Sequence, residues 1–399
     1  MCLTACMRTS EIFDLLRDGR ARTRSELARE SGLARSSVAL HIDTLMSVGY
    51  VAPVGDAAST GGRRASLFAL NPSARLVVGV DVGATHVIVE LADLGGTGIA
   101  ASRAELDVAE GPEAVLGWIA EAVRSLVAQQ QRSLDDVVAV GIGLPGPVEH
   151  ATGRPISPPI MPGWHRFDVA EWLRERLGCP VLVDNDVNIM ALGEQRTAWP
   201  DTEDLVLVKV ATGIGAGIIS GGRLQRGARG TAGDLGHVRV PGSTAPCRCG
   251  NEGCLEAVAA GPAIAARLRE LGVHATSTGE VVALAAQGSL EAAQVLRDAG
   301  RAIGEVLAMV VNLVNPSVIV VGGRLAGAAN ELHAGISEVV YRRSLPLATE
   351  HLRIAASETK GDAGVRGAVV LAIEHALSPD VLDAELLALS RPDQPVVMR

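Results

Sequence analysis

Three of the six cysteines in this chain lie within eight residues, and this segment limits the possible folds more than any other. It runs from Gly233 to Glu256 and reads GDLGHVRVPGSTAPCRCGNEGCLE. Its four candidate metal ligands are His237, Cys247, Cys249 and Cys254. Three thiolates and one imidazole form a closed tetrahedral set for Zn²⁺, which is typical of a structural site with no open catalytic position. Redox chemistry or a chance grouping of cysteines are the alternatives.

A structural zinc in this segment would hold its polar neighbours still. Gly250 and Gly253 allow so short a loop to fold around a metal ion. Asp234, His237 and Glu256 would then line a rigid pocket for a small polar ligand. A disulfide is the weaker interpretation, because no secretory signal pattern is found and thiols stay reduced in the cytosol. The scattered Cys2, Cys6 and Cys179 are expected to be free thiols.

The first 70 residues carry the pattern of a winged helix-turn-helix. Apolar spacing predicts a helix over residues 8–20, and Thr23 with Glu26 forms a capping-box pattern before a second helix. A glycine turn at Gly32 leads into a third helix over residues 34–48. Two strands, 50–54 and 67–70, then flank the basic loop DAASTGGRRAS, which has the features of a wing. A small helical interaction domain is the alternative.

The third helix is the expected DNA-reading element, since the second helix of this motif enters the major groove by its N-terminal residues. Arginine reads guanine or holds phosphate, and serine contacts either a base or a phosphate. Wing arginines are suited to phosphate or minor-groove contacts. The predicted DNA-binding residues are Arg35, Ser36, Ser37, His41, Arg63 and Arg64.

Charge is distributed unevenly between this head and the rest of the chain. Residues 1–64 contain nine Arg against seven acidic residues, a net of +2, whereas the whole chain has a net charge of −9. An acidic body argues against general nucleic-acid affinity, and a mildly basic head fits local DNA binding. No segment of about 18 apolar residues suggests a membrane span. We therefore expect a soluble, cytoplasmic protein.

An acidic cluster follows a predicted strand in the middle of the chain. The strand 181–183 leads into Asp184-Asn185-Asp186. Side chains at the carboxyl ends of strands lie where α/β folds keep their chemistry. The alternative is that these residues only cap the following helix.

The zinc segment, taken with these motifs in their order, resembles the ROK family of bacterial sugar kinases and the repressors derived from them. The resemblance covers roughly residues 10 to 375. It implies that His237 both ligates zinc and shapes a sugar site. It further implies that Asn185, Asp234 and Glu256 bind the sugar, and that Asp186 binds it and acts as general base in any active kinase.

The resemblance also implies a nucleotide side with Mg²⁺ held through water by Asp81. The implied nucleotide-binding residues are Asp81, Gly83, Thr85, Thr212, Gly213, Gly215, Gly322 and Gly323. Several positions depart from the usual kinase pattern. Ala84, His86 and Ala211 stand at the phosphate loops, and Ile160 and Asp234 at the sugar side. Together these changes affect the expected nucleotide-binding region more than the expected sugar-binding region.

The predicted fold is α/β, an actin-like/ribonuclease H-like two-lobe sugar kinase fold preceded by the winged helix-turn-helix. The expected boundaries are 1–70 for the head, 71–76 for a linker, 77–378 for the body with its zinc loop at 237–254, and 379–399 for a C-terminal tail.

Two functions follow from this organisation. The first is a sugar-responsive transcriptional regulator that binds operator DNA and a sugar or sugar-phosphate effector as a homodimer or homotetramer. The alternative is an ATP- and Mg²⁺-dependent sugar kinase, possibly bifunctional. A metal sensor is disfavoured, because a closed four-ligand site binds too permanently for sensing.

Overall fold

The computed structural model describes residues 3–57, 64–325, 330–359 and 361–389. The head comprises α1 (Leu3–Asp14), β1 (Arg22–Thr23), α2 (Arg24–Ser31), α3 (Arg35–Ser47), β2 (Val51–Asp56) and β3 (Ser66–Leu70). Its sheet has the order β1-β3-β2, with antiparallel pairs throughout. Most of the predicted wing loop, residues 58–63, lies outside the described residues.

Local sequence signals account for the helices of the head. Thr23 and Glu26 cap α2 reciprocally: the Thr23 N–H donates to Glu26 Oε2 at 2.8 Å, and the Glu26 N–H donates to Thr23 Oγ1 at 3.2 Å. Gly32 ends this helix with a φ of 71°. Helix α1 spans Leu3–Asp14 rather than 8–20, because the chain leaves the helix in tight turns that bury Leu16 in the core.

The first lobe of the body follows directly. Its elements are β4 (Leu76–Val82), β5 (Val87–Asp93), β6 (Gly98–Ala104), α4 (Pro112–Gln129), β7 (Val137–Leu144), β8 (Val148–Glu149), β9 (Arg154–Pro155), α5 (Val169–Leu177), β10 (Val181–Asn185) and α6 (Asp186–Ala198). Its main sheet has the order β10-β7-β4-β5-β6, in which β4, β5 and β6 are antiparallel while β7 and β10 join in parallel.

The second lobe repeats this plan. Its elements are β11 (Leu205–Val210), β12 (Ile214–Ser220), β13 (Arg223–Leu224), α7 (Leu255–Ala259), α8 (Gly261–Glu270), α9 (Thr278–Ala286), α10 (Leu290–Val314), β14 (Val318–Gly322), α11 (Asn330–Arg343), α12 (Pro346–Thr349) and β15 (Arg353–Ala356). The sheet order is β13-β12-β11-β14-β15, again with three antiparallel strands followed by two parallel ones. The predicted two-lobe α/β architecture is confirmed.

Two helices cross between the sheets and set the distance between the lobes. Helix α13 (Ala363–Ala376) packs on α6, and a Cβ added at Gly193 or Gly367 would overlap the backbone of the opposite helix. The carboxylate of Glu194 is fully buried beside this crossing and accepts hydrogen bonds from Ser357, Glu358 and Thr359 at 2.7–2.9 Å. A buried, fully bonded carboxylate therefore fixes α6 to the segment that enters α13.

The described part of the expected C-terminal tail, residues 379–389, forms a helix that packs on the head. Helix α14 (Pro379–Leu389) packs against α1, and its Leu382 and Leu386 are buried in the same apolar cluster as Phe13 and Tyr50. The Tyr50 hydroxyl donates to Glu385 at 2.6 Å. Because this cluster also includes residues of β4 and α13, the head and body share one continuous core.

Among the described residues, no helix combines the length and the apolar character that crossing a membrane requires.

Candidate functional site

A cleft of about 870 Å³ opens between the two five-stranded sheets. Both glycine hairpins, the start of α6, the turn before the metal loop and the end of β14 contribute to its walls. Predicted site residues that line it are Asp81, Gly83, Thr85, Asn185, Asp186, Thr212, Gly213, Gly215, Asp234, His237, Glu256 and Gly323. The structure thus gathers residues from distant parts of the sequence into one site.

The cysteine segment forms a compact ligand cluster at one end of this cleft. The ligand atoms of His237, Cys247, Cys249 and Cys254 all lie within 4.8 Å of one another. Cys247 Sγ is 3.6 Å from His237 Nδ1, and Cys249 Sγ is 3.7 Å from Cys254 Sγ. A tetrahedron with metal–sulfur bonds of about 2.3 Å has edges of about 3.8 Å, so these separations suit a single ion.

The thiols of this cluster differ in their surroundings. The backbone N–H of Asn251 lowers the pKa of Cys249 to about 7, which favours its thiolate form. Burial raises the pKa of Cys254 to about 12. A cation bound by the cluster would hold Cys254 as a thiolate at neutral pH.

The metal loop and the cleft are joined through His237 and α7. His237 directs Nδ1 at Cys247, while its Nε2 lies 4.0 Å from Asp234 Oδ1 on the cleft side. Cys254 is the N-cap residue of α7, and Glu256 lies in the first turn of that helix. An ion in the cluster would therefore fix His237, Asp234 and Glu256 relative to one another.

Asn185 and Asp186 occupy the junction of β10 and α6, where both sequence interpretations apply. Asn185 Oδ1 accepts from the N–H of Val187 at 2.9 Å and caps α6, while its Nδ2 donates to the Gly146 carbonyl at 2.8 Å. Asp186 is 5% exposed and lines the cleft. The capping role and the position in the cleft thus coexist in the same two residues.

Lys209 is the site residue that sequence reasoning missed. It lies near the end of β11, is partly buried, and its Nζ forms an ion pair with Asp186 Oδ2. Burial alone would lower the pKa of Lys209, but the attraction and hydrogen bond of Asp186 outweigh it and raise that pKa. The available signal was a single charge in the otherwise apolar strand LVLVKV, directly before a glycine turn.

Asp81, at the end of β4, lies deep in the cleft beside α13. Its side chain is packed so closely that a Cβ at Gly364 would overlap the carboxylate. Burial raises the pKa of Asp81 to about 6, and the nearby Lys209 partly opposes the shift.

The first glycine hairpin is covered by a side chain of its own. The Gly83 N–H donates to the His86 carbonyl at 2.8 Å, and the His86 imidazole folds back so that a Cβ at Gly83 would overlap it. Burial lowers the pKa of His86, and the positive charge of Lys209 adds to this effect. A neutral ring therefore lies on the hairpin tip.

The second glycine hairpin also has an internal partner. The Ile214 N–H donates to Glu256 Oε2 at 3.2 Å, and a Cβ at Gly213 would come within 2.6 Å of that oxygen. At the third glycine motif, Gly322 pairs with Lys209 across the β11–β14 ladder, and Gly323 adopts a positive φ of 86° against Val210.

The residues predicted to contact DNA divide into exposed and buried groups. Arg35 and Ser36 are exposed in the first turn of α3, Ser37 is half-buried, and Arg64 is exposed. Arg63 lies outside the described residues.

The prediction that His41 contacts DNA is wrong. His41 is 5% exposed and hydrogen-bonds through Nδ1 with Thr9 Oγ1 at 2.8 Å. The physical reason is helical spacing, because position 41 belongs to the inward stripe of α3 formed by Val38, His41, Ile42 and Leu45.

Comparisons with known proteins agree with this architecture. The model of the ROK family matches residues 77–375, and the model of the IclR helix-turn-helix domain matches residues 5–55. The chain is 29% identical over 384 residues to a putative xylose repressor of Caldicellulosiruptor sp. (strain Rt8B.4), covering 92% of this chain and 96% of that protein.

Solved structures support the same assignment. A ROK family transcriptional regulator described as a homologue of the E. coli MLC protein superposes with a TM-score of 0.82 at 25% identity, covering 96% of this chain and 99% of the other. A ROK glucokinase from Streptomyces griseus, in complex with glucose and AMPPNP, superposes with a TM-score of 0.64 at 29% identity, covering 74% and 99% respectively. From the fold, the cleft with its metal-ligand cluster, and these matches, the chain belongs to the ROK family.

Proposed function

We propose that this protein is a sugar-responsive, DNA-binding transcriptional regulator. The observation that carries the proposal is the combination, in one chain, of a helix-turn-helix head and a two-lobe sugar-kinase-like body that share a core. The ROK regulator structure matches nearly the whole of this chain, whereas the glucokinase covers only 74% of it. The segment that separates the two matches is the DNA-binding head.

The effector is a sugar or sugar phosphate bound between the lobes. Carboxylates, an amide and an imidazole are the groups that fix sugar hydroxyls through directed hydrogen bonds. The sugar-binding residues in this proposal are Asn185, Asp186, Asp234, His237 and Glu256, all of which line the cleft. A structural Zn²⁺ bound by the four-ligand cluster would hold His237 and the start of α7 in place.

Operator DNA is the second partner, and α3 is the proposed reading helix. Arg35 and Ser36 are exposed at the end of the helix that enters the groove, with Arg64 at the base of the wing. A winged helix on a palindromic operator requires at least a dimer. Exposed apolar side chains near the ends of α10 and α11 offer a surface for a homodimer or homotetramer: Met309, Leu313, Tyr341, Leu345 and Leu347.

Effector binding reaches the head through the shared core. Closure of the lobes on a sugar would move α13 relative to β4, and both elements contribute to the cluster that holds α1 and α14. Two heads in a dimer would then change their separation, and half-site spacing on DNA is geometrically strict. The coupling is a difference in sugar affinity between the DNA-competent and DNA-incompetent states.

An ATP-dependent sugar kinase remains the second candidate, favoured by one observation. Asp186, the residue suited to act as general base, lies in the cleft together with both glycine hairpins. The same geometry would suit phosphoryl transfer to a bound sugar if MgATP reached the hairpins.

The test is operator binding measured with and without sugars. A duplex selected from a random DNA pool by the protein would be titrated in fluorescence anisotropy, against hexoses, pentoses, N-acetylhexosamines and their phosphates. We expect one sugar class to change operator affinity at least tenfold. A protein that selects no sequence, or whose DNA affinity no sugar alters, would contradict the proposal.

A further inference from the structure

Side chains of the protein itself line the nucleotide side of the cleft, and Lys209 is central to this arrangement. Lys209 is 24% exposed and Asp186 8% exposed at the side chain, and the two form an ion pair inside the cleft. An ammonium bonded to this carboxylate occupies an oxygen that a sugar hydroxyl would need for proton transfer. It also places a fixed positive charge beside the acidic groups that a metal ion would neutralise.

Position in the fold explains why Lys209 reaches this place. It lies on β11, the central strand of the second-lobe sheet, paired with Gly215 on one side and Gly322 on the other. Because neither neighbour has a side chain, the lysine extends freely towards the first lobe. There it meets Asp186 at the start of α6, and Asp81 lines the same part of the cleft.

Each phosphate hairpin has one backbone N–H that is bonded within the protein and a side chain that lies against its glycine. At the first hairpin, the His86 ring covers the Gly83 face and the Gly83 N–H is already bonded. At the second, the Ile214 N–H is bonded to the carboxylate of Glu256. A glycine hairpin binds phosphate through free N–H groups, and a carboxylate placed there repels a phosphate instead.

The donor set therefore does not fit MgATP. We propose that Lys209 is a specificity-determining residue that takes the place of a nucleotide-bound metal ion, so that the cleft binds a sugar without nucleotide. His86 completes the exclusion by covering the first hairpin. This inference rests on the proposed function of the cleft as a sugar site.

Two consequences separate this arrangement from a kinase that merely awaits its nucleotide. Sugar binding should require neither Mg²⁺ nor ATP, because the ammonium supplies the positive charge permanently. Removing the charge should leave Asp81 and Asp186 as an acidic pair that attracts a divalent cation, and removing the imidazole should expose the first hairpin.

The experiment measures MgATP and MgAMPPNP binding by isothermal titration calorimetry. The proteins are the wild type, Lys209→Met, His86→Ala, the double variant, and Lys209→Arg as the matched control that keeps the charge. We expect no MgATP binding below about 1 mM for the wild type and the arginine variant. The double variant should bind at least tenfold more tightly than the wild type, with each single variant in between.

Two results would overturn the inference: submillimolar MgATP binding by the wild type, or no gain in the double variant while it remains folded. Zinc content and operator binding report on folding, since neither uses Lys209 or His86. If Lys209→Met does not fold, the wild-type titration and His86→Ala still decide the question. Failure of the proposed function is distinguishable, because it would appear as loss of sugar-dependent operator binding in the wild type.

Discussion

The sugar side and the nucleotide side of the same cleft both carry polar groups. Those of the sugar side face the cleft, whereas those of the nucleotide side are bonded to one another. On the expected sugar side, Asp234 and His237 line the cleft from the segment that carries the metal-ligand cluster. On the nucleotide side, Lys209 is paired with Asp186 and the hairpin N–H groups of Gly83 and Ile214 are bonded internally. The difference teaches that one kinase-type scaffold can keep a ligand pocket while its own charged groups pair in the region of phosphate transfer.

The largest expected effect comes from breaking the sugar side at its metal cluster. Cys254→Ser should abolish zinc binding and lower the free energy of unfolding of the body by several kcal/mol, on the order of 5, because a structural metal contributes directly to folding. Metal analysis and thermal unfolding would measure it. The control is Cys179→Ala, a buried thiol outside the cluster, which should keep its zinc. Unchanged zinc content in Cys254→Ser would show that the cluster does not bind zinc through Cys254.

The buried carboxyl group of Asp81, on the nucleotide side, is expected to make the stability of the protein depend on pH. Burial raises the pKa of Asp81 from 3.8 to about 6, a difference worth roughly 3 kcal/mol. The folded protein binds the Asp81 proton more tightly than the unfolded chain does. The resulting stabilisation of the folded protein is fully present below about pH 4 and is lost as the pH rises through 6.

Asp81→Asn should therefore flatten the stability profile between pH 4 and 6 and stabilise the protein at pH 7. Urea unfolding at several pH values measures this effect, with the exposed Asp201→Asn as the control. A profile for Asp81→Asn that parallels the wild type would show that Asp81 is not the group responsible.

The ion pair between the two sides is tested by a double-mutant cycle. Asp186→Asn should destabilise the protein by about 2 kcal/mol, because it leaves the Lys209 charge without its partner. The partial exposure of Lys209 keeps this value below that of a fully buried pair. Asp186→Asn combined with Lys209→Met should recover much of the loss, and strictly additive effects in chemical denaturation would deny the coupling.

The head provides a reference for the two sides of the cleft, because neither side is expected to contact DNA. Arg35→Ala should weaken operator binding about 10- to 100-fold while sugar-induced stabilisation persists, since a bidentate arginine–base pair contributes about 1–3 kcal/mol. Anisotropy with the selected duplex measures the change. Arg267→Ala, an exposed arginine on α8, serves as the control. Equal affinities for all three proteins would refute the assignment of α3 as the reading helix.

Local patterns predicted much of the fold. The Thr23–Glu26 capping box, the strands 67–70 and 181–183 and the ligand spacing of the cysteine segment all depend on neighbours in sequence, and the structure contains each of them. The two-lobe architecture followed from family motifs in their order. It would not have followed from periodicity alone, which does not say which strands pair.

The error at His41 concerns a local helical pattern, whereas the missed contacts of α14 and Lys209 join residues far apart in the chain. His41 was included among the DNA-binding residues because it lies one helical turn after Ser37, although the stripe it shares with Val38 and Leu45 indicates burial. Helix α14 is readable as a helix, but nothing in its sequence says that Glu385 meets Tyr50. Likewise, the partner of Lys209 depends on the register of β11 against β12 and β14.

A coupled ADP-release assay on the wild-type protein, run beside thermal unfolding with the same sugars, tests the central claim most directly. Each sugar would be added with and without MgATP. We expect one sugar class to raise the melting temperature equally in both conditions, with no sugar-dependent ADP release. Sugar-dependent ADP release that disappears in Asp186→Asn would contradict it, and would make the protein a kinase that carries a DNA-binding head.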